Sequence, residues 1–377
     1  MDPAIRLLSD MVAINSVNPS LVAGAPGEAA VADLVAAWMR EHGLDVVVEP
    51  VAPGRPNVIG VLEGRTKGRT LMFCGHTDTV GVTGMDAPFT PVERGGRLYG
   101  RGAQDMKGGV AAMMSAAATV AARGGLASGR LIVAAVVDEE HASIGADALV
   151  KTWSADAGVV TEPTDLAIAV GHKGFAWVGI TVEGKAAHGS RPAEGQDAIL
   201  RLGRVLTRLE TLDLALQARP PHPLVGTGSL HASIVAGGRE LSSYPDRATL
   251  QMERRILPDE AESVAIEEVR AILDALSRED PSFRGTAEAM FSRPAYEVPA
   301  DHQLPRALAA ALSRVGGAPQ TTGASFWTDA AVLGHAGIPS ILFGPGGAGL
   351  HSVEEYVNVA DVLMCRDTLV ELVDGWC

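Results

Sequence analysis

His76 and Asp78 stand two positions apart at the end of a short apolar run, Leu71-Met72-Phe73-Cys74, which Gly75 breaks. On an extended strand, residues i and i+2 point to the same face. An imidazole and a carboxylate can therefore lie side by side at this strand end. A carboxylate beside a histidine fixes its tautomer and raises its basicity, which suits a metal ligand. The triplet His76-Thr77-Asp78 would serve equally well as a plain strand end followed by an Asx turn. The choice between the two depends on what else reaches the same place.

Several acids recur at comparable positions. The apolar run 130–137 leads into Asp138-Glu139-Glu140, and the run 158–160 ends at Thr161-Glu162-Pro163. Asp105 sits on the glycine-rich loop 100–109, and His351 follows a second glycine-rich stretch at 344–349. Continuous apolar strands belong in the middle of a parallel sheet, whose ligands gather outside the carboxyl ends of the strands. Nitrogen and oxygen donors without a thiolate suit zinc, cobalt or manganese. Two divalent ions held by His76, Asp105, Glu140, Glu162 and His351, with Asp105 between them and one hydroxide, would form a neutral cluster. Without cations the acids would repel one another and some would protonate. Adjacent Glu139 and Glu140 need different tasks: one can bind metal while the other takes a proton from an activated water and hands it to a leaving amine. A solvated helix start would also tolerate Asp-Glu-Glu, but the buried apolar strand leading into it favours the chemical reading.

The elements that must position these groups are periodic. Helices are expected over about 2–14, 27–42, 110–123 and 144–152, with strands over 45–51, 57–63, 71–74, 130–137 and 158–160. This alternation predicts an α/β fold, a mixed and mostly parallel sheet with helices on both faces. Past Gly171 the texture changes to strand 175–183, helix 196–209, strands 230–235 and 247–253, helix 259–278 and strand 284–291. That order resembles a ferredoxin-like α+β unit. The expected organisation is a catalytic domain from 1–174 and 295–377, interrupted by an inserted domain at 175–294.

A net charge of −14 argues against a nucleic-acid or anionic-membrane surface. Cys74, Cys365 and Cys377 are too few and too scattered for a disulfide framework, which suggests a reducing compartment. The first residues lack a basic, then apolar, leader pattern, and no run reaches the roughly 18–20 apolar residues of a membrane span. Together these features predict a cytoplasmic protein.

Eight stretches, taken in order, resemble the dinuclear zinc amidohydrolase and metallopeptidase family of acetylornithine deacetylase, succinyl-diaminopimelate desuccinylase, aminoacylase-1 and carboxypeptidase G. They are GHTDTV (75–80), GRGAQDMKGG (100–109), DEE (138–140), TEPT (161–164), GHKG (171–174), AAHGSRPAEGQDAI (186–199), ERRILPDE (253–260) and HSVEEYV (351–357). The resemblance implies that His76 and Glu162 hold one metal, Glu140 and His351 the other, and that Asp105 bridges them with a cis bond to Met106. It implies that Asp78 orients His76 and that Glu139 is the general base for attack by a metal-bridging hydroxide. His188 resembles a histidine that reaches the active site of a partner subunit and stabilises the oxyanion. Arg255 occupies the place of an arginine that binds the substrate carboxylate. The inserted unit corresponds to a lid and dimerisation domain, so a homodimer is expected. The implied substrate is an N-acyl amino acid or small peptide-like molecule with a free carboxylate.

One departure affects substrate choice. After Gly237-Gly238 the family commonly carries an asparagine that contacts substrate, where this chain has Ser242. A hydroxyl can still donate a hydrogen bond, but with a different reach. Phe326 and Trp327 could line a side-chain pocket or pack beneath a loop. His188 could be an ordinary surface histidine, and Arg255 could pair with Glu253 or Asp259. Two other functions use the same parts. A dinuclear phosphoesterase would need the metal pair, but no basic cluster accompanies it. A catalytically inactive binding protein would need the fold alone.

Overall fold

The computed structural model describes residues 1–299 and 301–377. The chain divides into two compact units, one of Met1–Val170, Val298–Gly323 and Thr328–Cys377, the other of Gly171–Glu297 and Ala324–Trp327.

In the first unit a mixed sheet runs in the order Asp45–Ala52, Arg55–Glu63, Ser128–Val136, Thr66–His76, Ala157–Val160, Ser340–Leu342. Its centre is parallel: Thr66–His76 lies between Ser128–Val136 and Ala157–Val160, and Ser340–Leu342 follows in the same sense. Antiparallel pairing flanks this centre through Arg55–Glu63 and Asp45–Ala52. The central strands are apolar on both faces because both faces are covered. Leu71 to His76 and Leu131 to Val136 are buried without interruption. Gly108–Ala122 is buried around most of its circumference, as its run of Ala and Met demands. A Cβ on Gly109 would lie 1.9 Å from the carbonyl oxygen of Thr161, so only glycine lets this helix approach the end of Ala157–Val160.

A small antiparallel sheet follows the order Gly347–Ala348, Tyr356–Asn358, Arg97–Tyr99, Val92–Arg94. Its strands of two or three residues are too short for a periodic signal, and the sequence reads as loop there. It pairs Tyr356 with Tyr99 and so sets the loop of residues 349–355 beside the loop of residues 100–105.

The second unit is a four-stranded antiparallel sheet ordered Ser229–Gly237, Arg247–Ile256, Gly174–Glu183, Arg284–Arg293. Burial along Arg247–Ile256 alternates residue by residue, so one face is apolar. Val178, Ile180, Leu250 and Met252 on that face share a core with Leu202 and Val205 of helix Ala198–Gln217 and Val269 and Leu273 of helix Val264–Glu279. The edge strand Ser229–Gly237 leaves Ile234 and Val235 exposed. Among the described residues, no helix is long and apolar enough to cross a membrane.

Candidate metal centre

The parallel register builds one half of the centre. Cys74 stands level with Val160, and His76 with Val136. Two residues past Cys74 and Val160, therefore, His76 and Glu162 meet. The chain beyond Val136 turns at Asp138, whose φ of 70° lies in the left-handed region, and presents Glu139 and Glu140. His76 Nε2 lies 3.8 Å from Glu139 Oε2 and 4.0 Å from Glu162 Oε1.

Two loops supply the other half. Asp105 Oδ1 lies 3.2 Å from His76 Nε2, and Asp105 Oδ2 lies 3.3 Å from His351 Nε2. His351 Nε2 is also 3.0 Å from Glu140 Oε2. Asp105 thus turns one oxygen to each histidine. The Asp105–Met106 peptide bond is cis. Lys107 is spent on structure, its ammonium donating to the carbonyls of Met11 and Ile14 at 2.9 and 3.0 Å.

Glu355, which the sequence reading left without a role inside HSVEEYV, ties these loops together. Its Oε1 accepts the amides of Gln104 and Asp105 at 2.9 and 3.1 Å. Its Oε2 accepts the amide of Gly102 at 3.0 Å and Arg101 Nη1 at 2.6 Å. Both side chains of this ion pair are buried. Nothing but its place beside His351 in the sequence could have drawn attention to it.

Asp78 approaches His76 with both its main chain and its carboxylate. The strand ends at His76, so the i, i+2 alignment does not carry on to Asp78. His76 Nδ1 meets the backbone carbonyl of Asp78 at 3.0 Å, while the carboxylate stands off at 3.6 Å. That carboxylate accepts the amides of Glu139 and Glu140, each at 3.2 Å, and Asn18 Nδ2 at 2.8 Å. Asp78 orients the imidazole through its main chain and the Glu139-Glu140 turn through its side chain.

The electrostatics call for cations. Burial pushes the carboxyls of Glu139 and Glu162 well above the usual range; the charge of Glu162 adds to the rise at Glu139, and those of Asp105, Asp329 and Glu140 add to the rise at Glu162. Burial and the nearby Asp105 raise Glu140 to about 7. Burial alone would lower His76, yet Asp105, Glu139 and Glu162 hold it well above an ordinary histidine. Hydrogen bonds to Asp105 and Glu140 raise His351 to about 10. Glu140 Oε1 is buried without a hydrogen-bond partner among the described residues. Two donor sets, His76 with Glu139 and Glu162, and His76 with Asp105 and Glu140, each gather within 4.8 Å. Crowded acids, imidazole nitrogens and an orphaned carboxylate oxygen fit divalent ions.

The remaining candidates lie in the inserted unit. His188 is exposed on a loop, with Nδ1 2.8 Å from Ser190 Oγ. The Gly189 amide donates to the Ser242 carbonyl at 2.7 Å, so the His188 and Ser242 loops are paired. Arg255 is half-buried, with its Nε 2.7 Å from Glu253 Oε1 and its guanidinium 5.7 Å from the Phe175 ring centroid. Register sets Arg255 opposite Phe175 and Arg247 opposite Glu183. At about 3.3 Å per residue, Arg255 is roughly 25 Å from the strand end nearest His188. Within one copy of this unit, His188 and Ser242 come together and Arg255 does not join them. Trp327 packs edge-on against Phe175 at 6.1 Å and donates to the Pro294 carbonyl at 3.0 Å. It fills a core rather than opening a pocket.

An α/β sheet that gathers two histidines and four acids at its carboxyl edge defines a divalent-metal enzyme. The chain belongs to peptidase family M20/M25/M40, whose model matches residues 72–375. It is a metal-dependent amidohydrolase or metallopeptidase. It is 32% identical to an acetylornithine deacetylase of Myxococcus xanthus, over 85% of this chain and 84% of that protein. Its fold resembles that of a tripeptidase from Staphylococcus aureus, with a TM-score of 0.83, 19% identity and coverage of 99% of this chain and 97% of the other. A dinuclear metal-binding peptidase from Bacillus subtilis shares the fold with a TM-score of 0.77 and 16% identity, over 99% and 97% of the two chains.

Proposed function

We propose that this protein hydrolyses the amide bond of an N-acyl amino acid or small peptide-like substrate carrying a free carboxylate. The single observation that carries the reading is Asp105, whose two oxygens face His76 and His351 at 3.2 and 3.3 Å. In this reading His76 and Glu162 hold one divalent ion, His351 and Glu140 hold a second, and Asp105 serves both. When bound, such ions, zinc in the first instance with cobalt or manganese as substitutes, lower the pKa of water and polarise a carbonyl.

Of the two adjacent glutamates, Glu140 makes the contact with His351 and is the ligand. Glu139 faces His76 from the other side and is the base. It takes a proton from the attacking water and delivers it to the departing amine. Arg255 binds the substrate carboxylate, giving up its pairing with Glu253, and Ser242, brought with His188 from a second copy, donates to the acyl or carboxylate group. The similarity to an acetylornithine deacetylase supports an acyl amino acid as substrate.

The inserted unit acts as a lid and dimerisation domain. Its edge strand Ser229–Gly237 exposes Ile234 and Val235 and offers unpaired backbone to a second copy. Separation of His188 from Arg255 within one unit supports His188 serving the site of a second copy, where it stabilises the oxyanion. Three free cysteines suit a reducing, cytoplasmic setting.

The test is a hydrolysis screen of N-acetyl, N-succinyl and N-formyl amino acids and dipeptides with added zinc or cobalt, on wild type and Glu139→Gln. The variant should lose about 10²–10⁴-fold in kcat while still binding both ions. Turnover near that of wild type rejects the role of Glu139. A strictly monomeric enzyme with full activity rejects the part given to His188.

A further inference from the structure

A buried polar chain runs behind the metal centre, and of its members only Asp78 has a part in the chemistry above. It starts at Glu28, which is fully buried and accepts the Arg55 guanidinium in a forked pair. Arg55 Nε donates to Glu28 Oε2 at 2.8 Å, and Nη2 donates to Oε1. That leaves Nη1 for Asp138, whose Oδ1 lies 2.8 Å away, and for Ser20 Oγ at 3.2 Å. Asn18 Nδ2 donates to the same Asp138 oxygen at 3.0 Å and to Asp78 Oδ2 at 2.8 Å. Asp78 then accepts the amides of Glu139 and Glu140. Each member from Glu28 to Asp78 is at least nine-tenths buried.

The chain acts on one turn. Asp138 sits at φ 70°, and its carbonyl accepts the amides of Ala142 and Ser143. Its side chain is held from two sides, by Arg55 and by Asn18. The next two amides are held by Asp78. Both ends of the dipeptide Glu139-Glu140 are therefore anchored to the same asparagine, directly through Asp138 and indirectly through Asp78. A guanidinium is suited to this place because its rigid fork can pair with one carboxylate and still reach another. An asparagine is suited because one amide nitrogen can bridge two carboxylates without adding charge.

We propose that Asn18 and Arg55 are positioning residues that set where Glu139 and Glu140 point, and so couple proton transfer to retention of the ion beside Glu140. This rests on the roles given above to those two glutamates. Loss of the Asn18 bridge frees Asp138 and Asp78 to repel each other and lets the turn rotate. Glu140 then leaves His351, and Glu139 leaves His76.

The experiment compares wild type, Asn18→Ala and the double variant Glu28→Gln/Arg55→Met, all purified with zinc. The double variant avoids leaving Glu28 as a lone buried charge, which could prevent folding. Bound zinc is titrated against a chromophoric chelator, and kcat and KM are measured separately. Both variants should melt cooperatively, release one of two zinc ions about 10–100-fold more readily than wild type, and lose more in kcat than in KM. Arg55→Lys should restore little, since a point charge cannot serve Glu28 and Asp138 together. Wild-type zinc retention and kcat in both folded variants overturns the proposal. Equal loss of both ions in step with lost cooperative melting also overturns it, since the chain would then serve folding alone. Failure of the parent reading has a different signature: wild type itself would bind no zinc pair, or Glu139→Gln would remain active.

Discussion

Glu355→Gln is a nearly isosteric change with a calculable outcome. The carboxylate has two distinct oxygens: Oε1 serves the amides of Gln104 and Asp105, and Oε2 serves Gly102 and Arg101. Glutamine keeps one acceptor and turns the other into a donor. If its NH₂ faced Arg101 and Gly102, a buried guanidinium would meet a donor, which costs about 3–5 kcal/mol, and the Gly102 amide would go unpaired for about 1–3 kcal/mol more. If it faced Gln104 and Asp105 instead, two neutral amides would go unpaired at about 1–3 kcal/mol each. The second orientation is the cheaper and will be adopted. The penalty then falls on the amide of Asp105, the residue proposed to serve both ions. The expected loss is about 3 kcal/mol of stability, a fall in melting temperature on the order of 10 °C for the transition of this unit. Scanning calorimetry of the chelated protein isolates this folding cost. A zinc competition titration should then show weaker binding by about 10–100-fold. A variant that keeps both its melting temperature and its zinc affinity would refute the argument that Glu355 holds the Asp105 loop.

Chelation of the wild-type protein should lower its melting temperature and re-addition of zinc should restore it, because ions bound only by the folded state stabilise it by about 4 kcal/mol at a thousand times Kd; an unchanged melting temperature would argue against cation binding at the acid cluster. Acid should weaken the inserted unit through Glu260. Burial raises its pKa, but two hydrogen bonds from Arg254 and one from the Leu257 amide outweigh burial, so the folded value lies below the usual one. The stability it contributes is therefore present above about pH 4.5 and lost as pH falls through the folded value. Thermal melts between pH 6 and 3 should fall less steeply for Glu260→Gln than for wild type, and parallel slopes would refute the assignment.

How much could be read from the residues depended on what carries each group. His76, Glu140 and Glu162 follow apolar strands, and strand period and polarity announce both the strand and its polar end. Asp105 and His351 sit on glycine-rich loops, where no period exists. Donor chemistry and the glycine-rich loops made them candidates, resemblance to a family assigned their roles, and the geometry that joins them comes from a small sheet whose strands are two or three residues long. Asn18 and Arg55 left no trace at all, and Glu355 left only its place inside HSVEEYV. Their significance lies in contacts between residues as far as 120 and 254 positions apart, and a single sequence does not reveal such pairings. Asp78 lies between these cases: its position two after His76 suggests a side-by-side pair, and its carboxylate does lie 3.6 Å from the imidazole, although the strand ends two residues short of it and the closer contact comes from its main chain.

The register between Thr66–His76 and Ala157–Val160 bears on how this protein can change over generations. Leu71 faces Ala157 and Cys74 faces Val160, so the spacing from strand to ligand is counted in residues rather than encoded by their identity. Exchange of one small apolar residue for another in Ala157–Val160 leaves Glu162 where it is. Insertion or deletion of a single residue there turns Glu162 to the opposite face of the sheet. Descendants of this chain can therefore drift in composition along the strand while its length stays frozen.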